Sequence, residues 1–221
     1  MEKLKILTIE FITRDVLQIL TEKPLSLEYT PGQAADISLN KEGWQNEIRP
    51  FTFTSLPEDE FLQFTIKTYP ERKGVTNELR SLKKYDELIL HGVFGAIGYK
   101  GEGVFIAGGA GITPFISIFR NLKVENAIGA NKLIFANKTR DDIVLNYEFN
   151  HLLGKNFINI LSDEKSEQYF HGFLNEDFLK THITDSGKYI YLCGPPPMMD
   201  AVEPILARLN ISESDIIKEA V

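Results

Sequence analysis

The chain has 221 residues, 43% hydrophobic and 25% charged, enough for one large domain or two of roughly 100 residues, each able to bury a core. A formal net charge of −7 argues against a general nucleic-acid role, because a phosphate-binding surface needs a basic excess. The single cysteine, Cys193, excludes an intrachain disulfide and a four-cysteine zinc or iron–sulfur site; the four histidines (His91, His151, His171, His182) form no i, i+4 pair, so no metal site is expected.

The N-terminal stretch MEKLKILTIEF alternates apolar and polar residues, which predicts a first strand and not a signal peptide. No apolar run approaches the roughly 18 residues a membrane span needs, so the expected location is cytoplasmic. Through residue 99 the rhythm is that of strands: Leu4–Phe11, Val16–Thr21, Ala35–Leu39, Phe51–Thr54, Phe61–Thr68 and Glu87–Leu90, interrupted by one helical stretch at Thr76–Leu82. Six short strands at this spacing predict a small antiparallel barrel.

Within that half, Arg49-Pro50-Phe51-Thr52-Phe53-Thr54-Ser55 sets a guanidinium, aromatic rings and a hydroxyl at alternating positions. Positions 49, 51, 53 and 55 share one face, with Thr52 and Thr54 on the other. A forked cation suits a phosphate and a flat ring suits a planar ligand; an ordinary barrel strand with an exposed arginine would read the same way. Farther on, Lys73-Gly74-Val75-Thr76 joins a glycine turn to a hydroxyl at a helix start, either a small anion site or a plain capped helix.

Beyond Tyr99 the rhythm changes to strands alternating with helices. Strands are expected at Val104–Ala107, Lys132–Ala136, Phe157–Leu161 and Tyr189–Cys193, and helices at Pro114–Leu122, Leu145–Leu153, Asn175–Thr181 and Pro197–Leu209. This pattern predicts a parallel sheet covered on both faces, with the domain boundary near residue 100. Gly108-Gly109-Ala110-Gly111-Ile112-Thr113-Pro114 leads from a strand into a helix, a turn that lets a pyrophosphate approach the backbone at a helix N-terminus. The third glycine of the usual dinucleotide fingerprint is absent, and a tight turn without a ligand is the competing reading. The last long strand ends in Cys193-Gly194-Pro195-Pro196-Pro197-Met198, a stiff loop where open α/β sheets bind ligands. No Ser-His-Asp order or paired-carboxylate pattern suggests hydrolysis, whereas two phosphate-type sites suit cofactor chemistry.

Across nearly its whole length the chain resembles the ferredoxin–NADP reductase superfamily in its compact bacterial flavodoxin-reductase form. Pro31-Gly32-Gln33 resembles the family's PGQ turn, Arg49-Pro50-Phe51-Thr52 with Ser55 its R-x-Y-[ST]-x-x-S flavin motif, and Gly74-Val75-Thr76 its flavin-pyrophosphate turn. Gly109–Pro114 resembles its G-x-G-x-x-P loop, and Cys193-Gly194 with Pro197-Met198 its C-G-x-x-P-M element.

The resemblance implies a six-stranded antiparallel Greek-key β-barrel binding FAD (FMN being the other candidate) on residues 1–99, and an α/β parallel-sheet domain binding NAD(P) on residues 100–221. It implies that Arg49 binds flavin phosphate, Phe51 packs on the isoalloxazine and Thr52 bonds near N5. Pro50 and Ser55 complete that motif, and Gly74, Val75 and Thr76 hold the pyrophosphate. Gly109, Gly111, Thr113 and Pro114 take the nicotinamide dinucleotide, with Cys193, Gly194, Pro197 and Met198 beside the nicotinamide. Hydride then passes from nicotinamide C4 to flavin N5, with Thr52 and Cys193 as the catalytic pair, and electrons leave for a carrier such as ferredoxin or flavodoxin. Reduction of free flavin and a non-catalytic flavin-binding subunit are the alternatives.

Four departures stand out. Phe51 replaces the family's tyrosine, and Gly92-Val93-Phe94-Gly95 lacks a proline often found there. Ser162 is followed by Asp163 where NADP-specific members carry arginine; a carboxylate repels a 2′-phosphate and accepts from a ribose hydroxyl, which favours NADH, although Lys138, Arg140 and Lys165 supply positive charge. The C-terminal Ile216–Val221 resembles a final strand without the terminal aromatic that covers the flavin in some members, so that face is expected to be open or covered by another segment.

Overall fold

In the computed structural model, residues 1–183 and 187–219 are described. Six strands, β1 (Glu2–Phe11), β2 (Val16–Glu22), β3 (Ala34–Leu39), β4 (Arg49–Thr52), β5 (Phe61–Lys67) and β6 (Glu87–Phe94), form an antiparallel sheet in the order β4-β3-β6-β1-β2-β5. The N-terminal alternation does what its period requires: Leu4 and Ile6 are fully buried while Lys3 and Lys5 are exposed. A bridge between Phe53 and Phe64 joins the chain after β4 to β5, the two ends of the strand order, and closes the barrel. Its interior is filled by Leu4, Ile6, Ile19, Ile37, Phe53 and Phe64.

The second half builds a sheet from β7 (Gly103–Gly108), β8 (Lys132–Asn137), β9 (Phe157–Leu161), β10 (Phe170–His171), β11 (Tyr189–Cys193) and β12 (Ile216–Ile217), all parallel, in the order β10-β9-β8-β7-β11-β12. Every residue of β7 is buried, as a central parallel strand covered on both faces must be. Phe105 faces a cluster with Phe115 and Phe119 of α2 (Thr113–Val124) and Phe149 of α3 (Asn146–Leu153). Val104 and Ile106 face Leu179 of α4 (Glu176–Ile183) and Val202 and Leu206 of α5 (Pro196–Arg208). The order reverses between β7 and β11, which places the topological switch at Gly108 and Cys193.

The two-domain architecture matches the expectation, while several elements differ. The strand expected at Phe51–Thr54 lies two residues earlier. The helix expected at Thr76–Leu82 is one α turn, α1 (Val75–Glu78), followed by a 3₁₀ turn, Leu79–Ser81. Gly74, with extended backbone, occupies its N-cap; Thr76 lies inside the first turn and caps nothing. β6 runs on through Gly92 to Phe94 because pairing with β3 resumes past a bulge between Asp36 and Ile37. The two-residue β10 was not expected, and the final strand is limited to Ile216–Ile217; residues 220 and 221 lie outside the described residues.

Candidate functional site

The barrel side of the site is β4. Phe51 is 8% exposed, Phe53 0% and Ser55 1%, so the face shared by positions 49, 51, 53 and 55 is the barrel interior; only Arg49, at the strand's open end, reaches solvent. Phe53 stacks on Tyr29 with ring centroids 4.2 Å apart. Ser55 lies 3.0 Å from the Tyr29 hydroxyl and accepts from the Gln63 amide at 2.9 Å, so its hydroxyl is committed to the barrel wall. Burial pushes the Tyr29 phenol up to about 12, which keeps it a neutral partner there. Thr54 is also buried, 3.1 Å from the Thr65 hydroxyl.

These contacts correct the picture of an accessible 49/51/53/55 face: alternation says which residues face together, not which way they face, and a closed barrel draws the rings inward. Phe51 has little surface left for a planar ligand. The outward row is Thr52, Ala34 and Phe94, paired across β4, β3 and β6, with Phe94 41% exposed. That row gives the Gly92–Gly95 segment a location beside the site.

The other side is the switch point. From β7 the chain passes through a 3₁₀ turn, Gly109–Ile112, into α2, with Pro114 in the first helical turn as expected. A Cβ on Gly111 would collide with the Cys193 carbonyl, so glycine is what lets this loop cross the end of β11. Gly109 has φ +50° and open space where a Cβ would stand. Met198 packs beside Gly108 and Gly194, and Pro196 and Pro197 form the first turn of α5. The CGPPPM segment thus works as a packed joint between β7, β11 and α5, with Met198 turned into the core.

The two sides meet at hydroxyls: Thr113 Oγ1 is 3.1 Å from Thr52 Oγ1 and 3.0 Å from the Ala110 carbonyl. Around this junction the groups present suit a flavin and a nicotinamide dinucleotide. There is an exposed guanidinium for phosphate, a short helix whose first amides have no intrahelical acceptor, and an open glycine turn at a helix N-terminus. Among the described residues no group of three His, Cys, Asp or Glu side chains is placed to hold a metal ion.

Comparison with known proteins agrees with this division. The FAD-binding domain family matches residues 1–92 and the oxidoreductase NAD-binding domain family residues 105–204. NADH-cytochrome b5 reductase 1 of Homo sapiens is 31% identical, the match covering 75% of this chain and 67% of that protein. The chain belongs to the ferredoxin–NADP reductase superfamily. NADH-cytochrome b5 reductase 2 of Mycosarcoma maydis is 33% identical over 77% of this chain, which spans 53% of that protein. The glycine betaine monooxygenase reductase subunit of Chromohalobacter salexigens is 28% identical, and the chain spans 54% of it. The solved cytochrome b5 reductase domain of Ulva prolifera nitrate reductase shares the fold with a TM-score of 0.85 at 22% identity, covering 98% of this chain and 96% of that one.

The loops after β8 and β9 lie against each other at the same end of the sheet. The Ser162 amide bonds the Asn137 carbonyl at 3.0 Å and the Asp163 amide the Lys138 carbonyl at 2.9 Å, which ties the two loops together. Ser162 Oγ donates to Asp163 at 2.6 Å. Arg140 forms an ion pair with Glu164. On the flavin side Val75 is buried in the barrel core, which leaves its backbone, with Gly74 and Thr76, at the turn.

Two features escaped the sequence reading. Burial, with a smaller contribution from the Glu219 carboxylate, pushes the Cys193 thiol up to about 12, and burial raises Glu219 itself. Only the position of Glu219 just after the apolar Ile216-Ile217 pair could have drawn notice. The second is one face of α2, where Thr113, Ser117 and Arg120 recur at helical spacing among the buried apolar residues of the helix. No helix among the described residues is long and apolar enough to cross a membrane.

Proposed function

We propose that the chain is an NADH-dependent flavoprotein reductase, with FAD held by residues 1–99 and the nicotinamide dinucleotide by residues 100–221. The observation that carries this reading is the 3.1 Å approach of Thr52, on the flavin-side strand, to Thr113, at the start of the nicotinamide-side helix. When bound, a flavin accepts two electrons with a nicotinamide hydride and gives them up singly. The protein's own work is alignment. Arg49 and the Gly74–Thr76 turn hold flavin phosphates, Pro50 and Thr52 line the ring, and Thr52 offers its hydroxyl toward N5. Gly109, Gly111, Thr113 and Pro114 seat the nicotinamide dinucleotide, while Cys193 and Gly194 limit where the nicotinamide ring lies. Phe51 and Ser55 act from within the barrel wall, and Pro197 and Met198 act through the joint they pack.

Preference for NADH is supported by Asp163 at the end of β9, whose carboxylate would repel a 2′-phosphate. The acceptor is a one-electron protein carrier: ferredoxin or flavodoxin as the motifs imply, or a haem or oxygenase partner of the sort named in the relatives. A cytoplasmic setting, where NADH is plentiful, belongs to the same proposal.

The test is to purify the protein, identify any flavin by mass, and assay ferricyanide reduction with NADH and with NADPH. Retention of FAD and faster turnover with NADH are expected. A flavin-loaded protein that reduces ferricyanide with neither nucleotide would refute an enzymatic role and favour a passive flavin-binding subunit. Loss of all flavin on gel filtration, with free flavin then reduced, would favour a free-flavin reductase.

A further inference from the structure

One face of α2 carries several contacts between the domains. Thr113, Ser117 and Arg120 are spaced by four and three residues, so they share that face over about 10 Å of helix. Each bonds a different part of the barrel. Thr113 meets Thr52 of β4 at 3.1 Å. Ser117, fully buried, accepts the Gly32 amide at 2.9 Å. Arg120 Nη1 donates to the Thr54 carbonyl at 2.7 Å and to the side-chain oxygen of Gln63. Its Nε and Nη2 form a two-pronged pair with Glu148 of α3 at 2.7 and 2.8 Å.

Sterics reinforce the seam. Gly32 has φ +98°, and a Cβ there would strike the Ile97 carbonyl and stand 3.1 Å from Ile118 Cδ1 of α2. The Pro31-Gly32-Gln33 turn is therefore a docking point for α2. Val16 and Ile97, from the barrel half, complete the apolar part of the contact by joining the α2 cluster.

We propose that Arg120 is a positioning residue: by tying the middle of α2 both to β4's continuation at Thr54 and to α3, it fixes the Gly109–Thr113 loop relative to Thr52. The Arg120 side chain is only 22% exposed and its fork matches the carboxylate, so the link is stiff where a lysine's would be loose. Reaction between two bound rings is sensitive to such stiffness, since a displacement of about 1 Å can cost about a hundredfold in rate. This inference rests on the reductase reading for its kinetic consequence but not for its geometric one.

The experiment compares FAD-loaded wild type, Arg120→Ala, Arg120→Lys and, as a control on the exposed side of α2, Lys123→Ala. Anaerobic rapid mixing with NADH gives the rate of flavin reduction and the apparent NADH affinity, and hydrogen exchange reports the amides of Gly32, Thr54 and the Gly109–Thr113 loop. For Arg120→Ala a fall of about tenfold or more in the limiting reduction rate is expected, with NADH and FAD affinities within threefold of wild type and faster exchange at those amides. Arg120→Lys should recover part of the rate, and Lys123→Ala should match wild type. An unchanged limiting rate with unchanged exchange overturns the proposal, as does a loss confined to thermal stability. Should wild type itself not be reduced by NADH or NADPH, the reductase reading fails; exchange then decides the seam, faster exchange supporting it and unchanged exchange overturning it. If Arg120→Ala does not fold, Glu148→Gln, which weakens the same fork, is judged by the same criteria.

Discussion

Thr113 and Thr52 face each other hydroxyl to hydroxyl at 3.1 Å, one from each domain. Thr113 also lies 3.0 Å from the Ala110 carbonyl, and its single proton can serve only one of the two acceptors fully. When it goes to Thr52, the Thr52 proton is released to point outward at a ligand. Thr52→Val removes this relay while keeping the side chain's volume. A drop of about tenfold in flavin reduction by NADH is expected, equivalent to one hydrogen bond, with FAD still bound. Rapid-mixing kinetics check it; an unchanged rate would remove Thr52 from the reacting centre.

Asp163 stands at the end of β9 beside Ser162, and Arg140 is paired with Glu164. Asp163→Arg should therefore raise the NADPH/NADH ratio of kcat/KM by one to two orders of magnitude, a range set by replacing a like-charge contact with a charge-assisted one. Steady-state assays with both nucleotides measure this. A ratio that stays put would mean another residue reads the 2′ position.

Burial disfavours the thiolate form of Cys193. With its thiol held near 12 by burial and by Glu219, the thiolate fraction at pH 8 is about a thousandfold below that of a free cysteine. Alkylation of the native protein at pH 8, followed by mass spectrometry, should be markedly slower than that of the urea-unfolded chain. Equal rates would contradict the buried, neutral thiol.

Asp142 links the domains to pH. Burial alone would raise its carboxyl, but the Thr139 hydroxyl and amide and the Arg14 guanidinium, 2.9 Å away, outweigh it and lower it below the ordinary carboxylate range. A depressed carboxyl contributes stability above the unfolded value of about 3.9 and loses it as pH falls through the folded one. Asp142→Asn should cost about 1–2 kcal/mol at pH 7, the exposed Arg14 keeping the figure modest. Urea unfolding from pH 7 down to pH 3 should show the gap narrowing below about pH 4. A gap constant to pH 3 would exclude Asp142 as its source.

Much of the fold was legible because local signals were strong. β11 begins and ends at the expected residues, Tyr189 and Cys193, since a short apolar run meets Gly-Pro punctuation. α2 announces itself by glycines, then Pro114, then apolar residues at helical spacing. β10 was invisible because two residues carry no periodicity. The inward turn of Phe51 and the loss of Ser55 to the barrel wall could not be read from alternation, which is symmetric between inside and outside. Ser117 and Arg120 carried no signal in the sequence; only the barrel packed against α2 gives them acceptors and donors. Asp142 was hidden for the same reason, its partner Arg14 being 128 residues away.

The central claim, that the Thr52–Thr113 junction aligns a nicotinamide with a flavin, is tested most directly by a single anaerobic turnover. FAD-loaded protein mixed with one equivalent of NADH should lose the flavin's visible absorbance in one fast phase, and the subsequent addition of ferricyanide should restore it fully. Bound flavin that keeps its absorbance with excess NADH and with excess NADPH would contradict the account.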